Sequence, residues 1–108
     1  MLTREQLVGH HFLPFEEVDV PALKGTVGVQ GMTAGDAISY FKLIEKSNGK
    51  DESNIEGLAK LLVRCLVDEN RQRIYTDDEW SEILKWPHLA VEKIARIAMR
   101  LNRSTEGN

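Results

Sequence analysis

Little in this sequence advertises chemistry, and several absences narrow what it can be. It has one cysteine, Cys65, so no intrachain disulfide is possible and a reducing compartment fits. It has no long hydrophobic run. The most apolar stretch, Asn54 to Val67 (NIEGLAKLLVRCLV), falls short of the roughly 20 residues that span a bilayer, and Lys60 and Arg64 interrupt it. The first residues, MLTREQLVGHHFLPF, lack the uninterrupted apolar segment of a secretion signal. Charge of one sign is not in excess: the net charge of −3 gives no general attraction for nucleic acid or an anionic membrane. No repeat, low-complexity tract or interdomain linker is visible. Together these absences predict a cytosolic protein. What is present, 42% apolar and 29% charged residues over 108 positions, suits one domain that buries a core without metals or disulfides.

The chain is organised around that apolar stretch. Ile55, Leu58, Ala59, Leu62, Cys65 and Leu66 recur at helical spacing, while Leu61, Val63 and Val67 fill much of the opposite side. A helix apolar nearly all round is predicted to be buried by its neighbours. Before it, Thr3 and Gln6 have the spacing of a capping box that opens a short turn. Val18/Val20 and Val27/Val29 alternate with polar neighbours around Pro21–Gly25, which predicts a hairpin leaning on helices. Thr33, with Asp36 three residues on, opens a helix whose buried stripe is expected to be Ala37, Ile38, Phe41 and Ile44, with Tyr40 and Leu43 widening it. Ser47-Asn48-Gly49 is a stop signal, Lys50 to Ser53 reads as a linker, and Ser53 with Glu56 caps the central helix. After the charged turn Asp68–Arg73, Ile74 and Tyr75 are expected to re-enter the core. Thr76 with Glu79 caps a short helix that faces inward through Trp80, Ile83 and Leu84. Pro87 starts a last helix over His88–Asn102, with Ala90, Ile94, Ile97, Ala98 and Leu101 inward. The expectation is a mainly α (α+β) fold: about four helices on a central buried helix, with a short N-terminal β-hairpin. The arm is placed at residues 1–17, the domain at 18–104 and a flexible tail at 105–108.

Several constellations resemble functional sites. Asp68, Asn70 and Glu79 stand at calcium-loop positions, but Arg73 occupies the place that needs a glycine. Asp77, Asp78 and Glu79 suit a helix N-terminus on dipole grounds alone. His10, His11 and His88 lack partners at zinc spacing, and Cys65 lies on the apolar stripe as a small buried hydrophobe. Gly25, Gly28, Gly31 and Gly35 miss the spacing of a phosphate cradle. No catalytic, cofactor-binding or metal residues are therefore expected. Lys93, Arg96, Arg100 and Arg103 form a basic stripe on the last helix, and the segment Asp68–Glu82 carries six acids against two arginines. Copies could therefore meet basic helix to acidic turn, and a small helical DNA-binding or regulatory domain using the basic helix is the alternative reading. Phe12, Leu13 and Phe15 either cap the core or form an arm that docks on another chain.

The order of these elements resembles a known family. Val27-Gly28-Val29-Gln30-Gly31-Met32-Thr33-Ala34-Gly35-Asp36 resembles the strand and "TAGE/D" helix start of the tail assembly chaperones of long-tailed (siphovirus-like) bacteriophages. Leu66-Val67-Asp68-Glu69, then Arg73-Ile74-Tyr75-Thr76-Asp77-Asp78-Glu79, is similar to their "LVDEDGKRLFTDED" centre, and Ala95–Asn102 (ARIAMRLN) to their closing "AQRLN" helix. Asn70-Arg71 stands where the family has an Asp-Gly turn. The resemblance implies a non-catalytic, cofactor-free protein of the host cytoplasm, absent from the mature virion. Its partners would be the tape measure protein, which it keeps soluble, tail tube protein subunits, a longer frameshifted form of itself, and further copies in a homo-oligomer. Such a protein needs usable apolar surface. The candidate partner-binding residues are Tyr40 and Leu43 on the first long helix, and Val91 and Met99 on the last, where apolar positions exceed one stripe. Lys93, Arg96 and Arg100 join them from the basic face.

Overall fold

The computed structural model describes residues 1–9, 13–45 and 55–103. Among these, five α-helices accompany a three-stranded antiparallel sheet of order β1-β2-β3. The stop signal Ser47–Gly49, the linker to Ser53 with its cap, the Ser104–Asn108 tail, His10, His11, Phe12 and the Ile44 side chain lie outside the described residues.

A short helix, α1 (Arg4–Gly9), opens the chain. Its capping box is formed: the Thr3 amide donates to Gln6 Oε1 at 2.8 Å, and the Gln6 amide to Thr3 Oγ1 at 3.3 Å. β1 (Phe15–Val20) and β2 (Gly25–Gln30) then make the expected hairpin, with Val18 opposite Val27. Pro21 starts the 3-10 turn between them, and Lys24 closes it in the left-handed region at φ 60°, its amide donating to the Pro21 carbonyl at 3.0 Å. Period-two alternation puts Val18, Val20 and Val29 in the core. Phe15, Glu17 and Gly28 share the other face. A Cβ on Gly28 would come within 2.9 Å of the Val67 carbonyl oxygen and 3.0 Å of the Phe15 ring, so only glycine lets those groups close over the strand.

The central helix is α3 (Ile55–Cys65), with Ala59, Leu62, Val63 and Cys65 fully buried. It stops two residues earlier than the apolar pattern predicts, because Leu66–Val67 form β3 and pair with Val29 and Gly28 of β2. Two contacts define that stop. The Arg73 guanidinium donates to the Val63 carbonyl from Nε at 3.1 Å and Nη2 at 2.7 Å, satisfying a last-turn acceptor. Asp68 then folds the chain back, its Oδ1 accepting the amides of Asn70 at 2.8 Å and Gln72 at 3.0 Å. Arg71 in this turn is left-handed with φ 64°, a conformation uncommon for a residue other than glycine. Its guanidinium stacks 3.7 Å from the Phe15 ring centroid.

α2 (Ala34–Glu45) begins at the expected cap: the Asp36 amide donates to Thr33 Oγ1 at 3.0 Å, and the Thr33 amide to Asp36 Oδ2 at 3.3 Å. Its rotation differs from the expected one. Ile38 and Phe41, placed in the buried stripe, are each 56% exposed, whereas Tyr40 packs against the core. α2 carries apolar side chains around most of its circumference, so an electrostatic contact sets its facing. Asp36 is held 3.0 Å from Nη1 of Arg64, a side chain only 8% exposed on α3.

Thr76 and Glu79 form the last cap, Glu79 Oε1 accepting the Thr76 amide at 2.7 Å ahead of α4 (Trp80–Ile83). Ile83 is buried, but Leu84 and Ile74 remain on the surface at 43% and 50% exposure. The chain turns away after Ile83, and Tyr75 rather than Ile74 is the residue packed inward. α5 (His88–Arg103) lies against α3 and buries two adjacent columns, Ala90/Ile94/Ala98/Leu101 and Val91/Ala95. Three alanines let it approach closely enough for both columns to be covered. Val91, expected on the partner-binding surface, is consequently 0% exposed.

Candidate partner-binding surface

An apolar groove lies where α2, α3 and α5 meet. Met32, Tyr40, Phe41, Leu61, Met99, Asn102 and Arg103 line a hollow of about 260 Å³. Leu61, buried on α3, supplies a floor, and the rings of Tyr40 and Phe41 tilt against each other with centroids 5.6 Å apart. Met99, 37% exposed, closes the α5 side. Asn102 holds the end of the groove: its Oδ1 accepts the Met32 amide at 2.7 Å, and its Nδ2 donates to the Ala98 carbonyl at 2.8 Å. The amide thus joins the last turn of α5 to the segment leading into α2. Arg103 adds a cation at that end and enters no ion pair among the described residues.

Of the residues expected to bind a partner, Tyr40 and Met99 come together in this groove. Leu43 is half-buried one turn further along α2, beside a second hollow shared with Ser39, Lys42, Asp77 and Asp78. Val91 is beneath the surface. The basic residues divide. Lys93 donates to the Asp19 carbonyl on β1 at 2.7 Å and Arg100 pairs with Glu16, while Arg96 remains exposed. Two of the stripe's cations therefore fasten α5 to the edge of the sheet.

Phe41 and Met32 were not assigned to this surface by the sequence reading. Phe41 satisfies the apolar spacing of α2 equally well on either facing, and Met32 precedes the helix in a segment without periodicity. A signal did exist in Asp36 and Arg64, an acid and a base that each interrupt an apolar pattern. Arg64 also pairs through Nη2 with Asp77, which in turn lies 2.9 Å from Arg73 Nη2. This chain of charges ties α2, the end of α3 and the start of α4 into one unit.

Several of the charged and reactive groups are held by neighbours in this arrangement. The Asp68 carboxylate is engaged by two amides of its own turn. Among the described residues, no group of three or more His, Cys, Asp or Glu side chains could hold a metal ion. Lys60, 4% exposed, lies 3.3 Å from Glu56 and 5.0 Å from the Trp80 ring centroid. Burial pushes the Cys65 thiol up to about 11 from its ordinary 9.0; Asp36 adds to the shift, and the Asn102 hydrogen bond, Arg73 and Arg64 oppose it. A buried thiol kept protonated is a poor nucleophile. No helix among the described residues is long and apolar enough to cross a membrane.

No protein-family model and no curated protein sequence matches the chain. Among solved structures, the fold is similar to that of the bacteriophage HK97 tail assembly chaperone, with a TM-score of 0.62 over 92% of this chain and 92% of that chain. The two share 16% sequence identity, so the likeness is one of fold.

Proposed function

We propose that this chain is a non-catalytic tail assembly chaperone of a long-tailed bacteriophage. The observation that carries the reading is the likeness to the HK97 chaperone over nearly the whole length of both chains. The ordered cap, turn and closing-helix motifs Thr33–Asp36, Leu66–Glu79 and Ala95–Asn102 independently resemble the same family. On this reading the chain acts in the host cytoplasm and leaves no copy in the mature virion. It binds the tape measure protein, keeps it soluble and helps recruit tail tube subunits, in company with a longer frameshifted form and further copies of itself. The α2–α5 groove is the surface that would hold an apolar helix stripe of the tape measure protein. Tyr40, Phe41 and Met99 supply the contact, Leu43 extends it, and Arg96 and Arg103 meet acidic residues at its margin.

The DNA-binding alternative finds less support, because Lys93 and Arg100 are engaged with β1 and the chain as a whole is acidic. Co-expression with the tape measure protein encoded beside it separates the readings. The proposal expects the pair to co-purify and the tape measure protein to be insoluble alone. Passage of the two without contact, together with salt-sensitive DNA binding that weakens when Arg96 becomes alanine, would establish the alternative instead.

A further inference from the structure

β1 closes one side of the sheet, and half of its backbone faces outward. The Gly31 amide donates to the Pro14 carbonyl at 2.8 Å, one step beyond the Phe15–Gln30 pair. Antiparallel alternation then turns the peptide groups of Glu16, Val18 and Val20 toward β2 and those of Phe15, Glu17 and Asp19 toward the free edge. Lys93 Nζ satisfies the Asp19 carbonyl there, at 2.7 Å. The amides and carbonyls of Phe15 and Glu17, with the Asp19 amide, have no hydrogen-bond partner among the described residues. They form a row of donors and acceptors at strand spacing, a template for a further strand.

Charge selects what that strand is. Period two puts the side chains of Phe15, Glu17 and Asp19 on the outer face of the sheet, away from buried Val18 and Val20. Glu17 and Asp19 are exposed, and neither carboxylate enters an ion pair among the described residues. Asp68 and Glu69 join Glu17 around a hollow of about 280 Å³ on the same face, so the strand's acids are not isolated. A second β1 is a poor match. Centred on Glu17, such a pairing opposes Glu17 to itself, and the neighbouring registers oppose Glu16 to Glu16 or Glu17 to Asp19. We infer that the β1 edge takes up an extended segment of another protein, with the pattern basic–x–basic–x–apolar, as an added strand antiparallel to β1 like the rest of the sheet. The basic residues of that segment lie opposite Asp19 and Glu17, and its apolar residue opposite Phe15. Its main chain exchanges a pair of hydrogen bonds with Phe15 and another with Glu17, and accepts from the Asp19 amide. No residue lining the α2–α5 groove belongs to β1, so this contact is additional to the one proposed for the groove.

Amide hydrogen exchange tests this directly. The probe is an acetylated peptide, Thr-Lys-Thr-Lys-Thr-Phe-Thr, titrated into the nitrogen-15-labelled full-length chain. The expected result is at least tenfold slower exchange of the Phe15 and Glu17 amides at saturating peptide, with the Glu16 and Val18 amides, already bonded to β2, unchanged. The same peptide with glutamate in place of lysine is expected to give no protection. Reversing the charges on the protein, Glu17→Lys with Asp19→Lys, is expected to exchange the two preferences. N-methylation of the peptide at the residue facing Glu17 removes a main-chain donor and is expected to abolish protection. Binding that survives it is a charge contact alone and overturns the strand addition. Protection that appears in the chain alone as its concentration rises would place a second copy on the edge and overturn the inference. Peptide-induced shifts confined to other surfaces, or no change at millimolar peptide in a chain with native circular dichroism, would overturn it equally.

Discussion

Truncating Arg64 to alanine would leave Asp36 and Asp77 without their shared cation and α2 without the contact that orients it. Both carboxylates are about one-third exposed, at 32% and 36%, so water can recover part of the loss. The expected destabilisation is about 1–3 kcal/mol, read from urea unfolding, with a smaller loss for Asp77→Asn, which keeps the Asp36 pair. Cys65 gives a second prediction at this scale. Its folded-state value of about 11 lies above its ordinary 9.0, so its contribution to stability is complete below about pH 9 and is lost as pH rises toward 11. Across that window the native chain should lose up to about 1.4 kcal/mol per pH unit more than Cys65→Ala does. Parallel slopes for the two proteins would contradict the thiol's assignment. The same burial predicts slow reaction with thiol reagents until the protein unfolds.

Among the elements, the features that depend on local spacing are legible in the sequence. The hairpin, the Thr3, Thr33 and Thr76 caps and the burial of α3 all follow from rules that act within a few residues. Features that only tertiary contacts decide are not legible in it. α2 has apolar positions on most sides, so periodicity could not distinguish the observed facing from one with Ile38 and Phe41 inside. Leu66 and Val67 continue the helical stripe of α3 as well as they begin a strand, and the choice rests on β2 and Arg73, which are distant in sequence. Val91 lay beside the expected stripe of α5, and the small residues Ala90, Ala95 and Ala98 carried the missed information that α5 packs closely. Two of the groove's seven lining residues, Tyr40 and Met99, were therefore legible as partner-binding positions, and the Phe41 wall was not. The corrected facing has a measurable consequence. Phe41→Asp should change unfolding free energy by no more than about 0.5 kcal/mol, whereas Val91→Ala should lower it by about 1–3 kcal/mol. If Phe41→Asp were the more damaging, the sequence-based facing of α2 would be the true one.

For the whole molecule, the notable feature is where charge and apolar surface lie. Buried Arg64, Arg73 with its grip on α3, and the Lys93 and Arg100 contacts to β1 use charge to lock elements together. Ile38, Phe41 and Met99 leave apolar area outside. A domain braced in this way can present a hydrophobic face without losing its fold, which is what holding another protein's helices requires. The most direct measurement is the soluble fraction of the co-expressed tape measure protein with the native chain and with Phe41→Asp/Met99→Asp. Both substitutions lie on exposed positions and are expected to leave the circular dichroism intact. The native chain is expected to keep the tape measure protein in solution, and the double variant, though equally folded and abundant, to lose most of that effect. Equal solubility with both chains would contradict the groove as the binding surface, and an insoluble tape measure protein with either would contradict the chaperone function itself.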